Sequence, residues 1–164
     1  MSKETRRDCV LALVFLFVSI GGVASILTSN RILAWIAIVI SDSYLILVLL
    51  FAAMRSDHDT LLHRHAWISH FFPTRTAALL LVVLLFAAVL SGFAGLYVGA
   101  DVFPSNKPPL DAFYISVFTL ALTDYSPKAG YGQVVVISEV VNGVLLIVAL
   151  FPLLISRISA FKNP

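Results

Sequence analysis

The sequence predicts an all-α membrane protein, and three observations carry that prediction. Of the 164 residues 60% are hydrophobic and only 12% charged, with a mean hydropathy of +0.98, outside the range of ordinary soluble domains. The apolar residues gather into four long stretches. Eight of the eleven Lys and Arg residues fall before the first stretch, between the second and third, or after the fourth. Crossing about 30 Å of hydrocarbon takes about 20 mostly apolar residues in a helix, because lipid offers no partner to open backbone groups.

The first stretch, Cys9 to Asn30, carries no charge. Lys3, Arg6 and Arg7 precede it as they would a secretory signal, but such signals have apolar cores of about 7 to 15 residues. This run is longer and turns straight into the next, so an uncleaved helix is expected. The second, Ile32 to Met54, contains one acid, Asp42, at its centre. An ionised carboxylate is expensive there and must find a partner or water. Ser41, Ser43 and Tyr44 flank it, and Asp42 is a candidate proton-linked site as well as a candidate helix-packing group. Neither span repeats arginine at regular spacing, which excludes a voltage sensor of the usual kind.

Between the second and third spans lies a polar segment with four histidines, His58, His63, His65 and His70, among leucines and aromatics. Their spacing matches no tight metal motif. An amphipathic helix in the interface, stopped by Pro73, is expected. The third span is Ala77 to Ala100, where Gly95 and Gly99 stand at the spacing that lets helices approach closely. Leu110 to Leu122 is apolar but too short to cross, hence a candidate re-entrant helix. The fourth span is Gln133 to Ser156, with a single acid, Glu139.

Three domains follow: a two-helix transmembrane hairpin over 1–54, a His-rich amphipathic linker over 55–76 and a two-span unit over 77–164. Arg55, Arg64 and Arg75 lie on one connection and Arg157 and Lys162 after the last span, against Arg31, Lys107 and Lys128 on the opposite side. The positive-inside rule then places both termini in the cytoplasm. The lone Cys9 can form no intrachain disulfide.

The stretch DAFYISVFTLALTDYSPKAGYGQVVVISEVVNG, Asp111 to Gly143, resembles the pore loop and inner helix of the prokaryotic two-span potassium-channel family. Asp111, Ala112, Tyr114, Ser116, Val117, Thr119 and Leu120 match that family's pore helix. Asp124, Ser126 and Pro127 match its outer turn, Gly132 the glycine before its inner helix, and Ile137 and Glu139 the start of that helix. The resemblance covers about half of the chain. Together with the four apolar stretches it implies four transmembrane helices plus a re-entrant pore helix; the resemblance itself implies a tetrameric potassium-channel-like pore module, self-association as a homotetramer, and residence in the plasma membrane of a prokaryote.

One departure is large. The family has Gly-Tyr-Gly where this chain passes directly from Thr123 to Asp124, and Leu122 stands in place of the filter threonine. Carbonyl rings built on those glycines replace the hydration shell of potassium, so a standard selectivity filter is not encoded. Gly130-Tyr131-Gly132 abuts the inner helix and is not a displaced filter. Thr119, Leu122, Thr123, Asp124 and Tyr125 are the filter-equivalent residues, and a ring of Asp124 carboxylates would favour cations. Ser138, Asn142 and Ala149 lie on one helical row of the fourth span. With Gly143 and Pro152 they are the candidate pore-lining or gating residues.

The resemblance implies a membrane channel passing monovalent cations with weak or altered selectivity. The alternative is a non-conducting structural, sensory or partner-binding protein on the same scaffold. The lipid bilayer is an expected partner, nucleic acid is not, and no cofactor or metal is expected. An enzyme is not expected either, since the sequence offers no nucleophile-and-base set, phosphate-cradling glycine loop or close carboxylate pair.

Overall fold

The computed structural model describes residues 3–54, 75–105, 107–120 and 126–147. The His-rich linker, the filter-equivalent residues Leu122, Thr123, Asp124 and Tyr125, and the inner-helix residues Ala149 and Pro152 lie outside them. Five α-helices and no strand occur among the described residues: α1 Lys3–Thr28, α2 Arg31–Met54, α3 Arg75–Gly99, α4 Pro109–Leu120 and α5 Tyr131–Leu145. Three of these, α1, α2 and α3, are long and apolar enough to cross a membrane. The chain is thus an all-helical, multi-pass membrane protein. Of the fourth expected span the described part is α5, 15 residues long.

The third helix is the hub. Of its apolar stretch 61% is buried within the chain, against 28% in α1 and 33% in α2, and α1, α2 and α4 all pack on it. What lets α1 lie so close is size. A Cβ added at Gly22 would strike the Ser91 hydroxyl, and one added at Gly95 would strike that of Ser25. At Gly99 it would meet the Ser29 carbonyl at 2.5 Å. Without a hydrophobic drive between helices in lipid, close packing of small residues and interhelical hydrogen bonds hold such a seam. Ser19 adds one bond of that kind, donating across to the Leu84 carbonyl at 3.0 Å.

Asn30 starts α2. Its side-chain oxygen accepts from the Ile32 N–H at 2.9 Å, the usual way an N-cap serves an orphan donor. Ser29 takes a positive φ of 53° to make the turn between α1 and α2. Phe15 and Tyr44 then stack edge to face across the hairpin at 4.8 Å. Ile38 and Ala34 of α2 lie against Gly92 of α3, so the hairpin grips the hub from both of its arms.

Candidate functional site

The helix α4 has 12 residues, a rise of about 18 Å, too short to cross hydrocarbon. It is held against α3 and α5 by a polar lock in an otherwise apolar setting. Glu139 of α5 is fully buried, and both of its carboxylate oxygens are engaged. The Tyr97 hydroxyl of α3 donates to Oε2 and the Ser116 hydroxyl of α4 meets Oε1. Ser116 also lies 3.0 Å from the Leu90 carbonyl of α3. Thr119, one turn further along α4, is buried beside Tyr97. One acid therefore ties three helices together.

The packing around the lock follows from residue size and shape. Tyr97 stacks edge to face on Phe103 at 5.0 Å, fixing the phenol ring so that its hydroxyl reaches Glu139. Ala112 and Ile115 of α4 are buried, leaving Leu110, Phe113, Tyr114 and Val117 exposed on its other faces. The short helix thus has one face glued to its own chain and another bare.

Outside the lock, two loops are pinned to one another. Lys128 N–H donates to the Val102 carbonyl at 2.8 Å, and the Lys128 ammonium pairs with Asp101 at 2.5 Å. Gly132 packs so tightly on this strap that a Cβ would lie 2.5 Å from the Val102 carbonyl. Gly130, at φ 80°, is the N-cap of α5, and its N–H donates to the Gln133 side chain at 3.3 Å. Gly130-Tyr131-Gly132 therefore forms the cap and first turn of a helix. Together the strap and the lock fix both ends of the segment that runs from α4 to α5.

A second polar group lies between α2 and α5. The Asn142 amide donates to Asp42 Oδ2 at 3.3 Å and to the Ser138 carbonyl at 3.1 Å. Asp42, Ser138 and Asn142 border a partly open cleft of about 290 Å³ whose remaining walls are leucine, isoleucine and valine. Of the pore-lining candidates, Ser138 and Asn142 are thus brought together, and within one chain they face α2. Gly143 is buried within unbroken α-helix, with a π-helical turn following at 146–147.

Tyr97 and Ser116 gain roles that sequence reading did not give them. The signal was present in Glu139: an acid in an apolar span needs donors, and hydroxyls in the facing segments are the natural supply. Ser116 carried only a family match, and Tyr97 passed as one more aromatic. No family model, curated protein or solved structure matches this chain.

Proposed function

We propose that this chain is the subunit of a homotetrameric, potassium-channel-like membrane pore that passes monovalent cations with weak or altered selectivity. The observation that carries the reading is the short helix α4, clamped between α3 and α5 through Ser116, Glu139 and Tyr97. A span, a half-length helix and a second apolar helix in that order is the plan of a channel pore unit. Irregular backbone at membrane depth is tolerated only inside protein or beside water. A half-length helix at membrane depth needs such cover at its ends, and the bare face of Leu110, Phe113, Tyr114 and Val117 offers copies of the chain a surface to supply it.

On this reading four α4 helices direct their C-terminal ends to a shared axis, where partial negative charges of about half an electron each favour a cation. Thr123 and Asp124, three and four residues past the end of α4 in the sequence, would supply hydroxyl and carboxylate oxygens to the constriction. Without Gly-Tyr-Gly no column of dehydrating carbonyls forms, so potassium and sodium pass at comparable rates. On the same reading the chain crosses the membrane four times, with both termini in the cytoplasm.

Flux from liposomes containing the purified chain tests this. Potassium and sodium should both leak well above empty liposomes while chloride does not, and Asp124→Asn should lower the cation preference. Absence of flux for either cation would sink conduction and favour the non-conducting scaffold.

A further inference from the structure

We propose that Glu139 is held as a carboxylic acid that donates a hydrogen bond to Ser116, which makes the lock between α3, α4 and α5 a switch released by the loss of one proton. The Ser116 hydroxyl oxygen has two oxygen neighbours within hydrogen-bond reach, the Leu90 carbonyl at 3.0 Å and Glu139 Oε1. A serine hydroxyl carries one hydrogen, and a carbonyl can only accept. The Ser116 hydrogen therefore goes to Leu90, and the hydrogen between Ser116 and Glu139 comes from the carboxyl group. On the other side the Tyr97 hydroxyl donates to Oε2, the oxygen that stays an acceptor in a neutral acid. Three contacts then hold three hydrogens. With Glu139 ionised the same three contacts would share two.

The setting agrees with that count. Glu139 and Ser116 are both fully buried, and burying a charge costs far more than burying a neutral group whose hydrogen bonds are made. Among the described residues, Tyr97 is the titratable group bonded to Glu139. Arg75 lies at the opposite end of α3, Asp111 and Tyr114 of α4 and Tyr131 of α5 are exposed, Asp42 of α2 meets Asn142, and Asp101 and Lys128 pair with each other. Loss of the proton leaves Ser116 with one hydrogen for two acceptors. It must give up Leu90 or Glu139, and α4 loses its tie to α3 or its tie to α5. This switch does not depend on whether the chain conducts.

Isotope-edited infrared spectroscopy tests the assignment, because the sequence contains two glutamates, Glu4 and Glu139. In Glu4→Gln grown with glutamate carrying 13C in its side-chain carboxyl, Glu139 is the one labelled carboxyl. In lipid nanodiscs at neutral pH it should give the C=O band of a carboxylic acid, and that band should vanish as the pH is raised. Tyr97→Phe in the same background removes the bond to the acid's carbonyl oxygen and should move the band to higher frequency without abolishing it. Where the folded chain keeps a proton that the unfolded chain has released, unfolding releases that proton and stability falls as pH rises. The unfolding equilibrium constant of the wild type relative to Glu139→Gln should then increase about tenfold per pH unit in sodium dodecyl sulfate titrations. A carboxylate band alone at neutral pH, a band unmoved in Tyr97→Phe, or a ratio independent of pH would each overturn the proposal.

Discussion

Two acids sit inside this membrane protein, and they are housed differently. Glu139 is fully buried, and hydroxyls from two other helices engage both of its oxygens. Asp42 is half-buried at the edge of a cleft and has one amide on one oxygen. The first arrangement is closed and holds helices in place. The second leaves one carboxylate oxygen buried without a partner among the described residues. The two acids thus differ in how many of their oxygens the described residues serve.

The largest effect should come from opening the closed site. Glu139→Ala strands the Tyr97 and Ser116 hydroxyls and leaves a void. It should cost about 3 kcal/mol, read as a lower midpoint of unfolding by sodium dodecyl sulfate in mixed micelles. Glu139→Gln offers each hydroxyl a partner and should recover most of that loss. If Ala and Gln destabilised equally, charge rather than hydrogen-bond count would hold α4.

Gly99→Ala acts on the hairpin that carries Asp42. Its Cβ would meet the Ser29 backbone carbonyl at 2.5 Å, where no side chain can turn aside, so the α1–α2 turn must shift. A loss of about 2 kcal/mol is expected in the same titration. Gly21→Ala is the matched control. Nothing lies within 4 Å of the added carbon, so stability should hold or rise by about 0.5 kcal/mol.

Asp42→Asn should change stability by less than about 1 kcal/mol, because the variant still accepts from Asn142 and adds no void. A loss as large as that of Glu139→Ala would show Asp42 to be a second lock and end the contrast. The smallest effect belongs to the outer strap. Lys128→Ala removes a pair whose partner Asp101 is 70% exposed, and it should cost about 0.3 kcal/mol. Raising the salt concentration should shrink that difference further.

Three of the four expected spans and the short helix were legible because hydropathy and length state a membrane's demands directly. Leu110 to Leu122 as a re-entrant candidate and Pro109–Leu120 as α4 differ only at the ends. The approach of Gly95 and Gly99 to another helix was legible from spacing, but not that the partner would be the α1–α2 hairpin and its turn. Asp42 stood out by its cost. Its partner did not, since Asn142 is 100 residues away and its helical row fits a pore face as well as a neighbouring helix. Tyr97 and Glu139 are 42 residues apart. Pairings of that kind depend on which helices become neighbours, which periodicity within one segment does not encode.

The central claim is that α4 is a pore helix whose bare face meets other copies of the chain, and the mass of the assembly tests it most directly. Native mass spectrometry of the wild-type chain released from lipid nanodiscs should give one dominant species at four times the 17.9 kDa subunit. A dominant monomer or dimer would contradict the account.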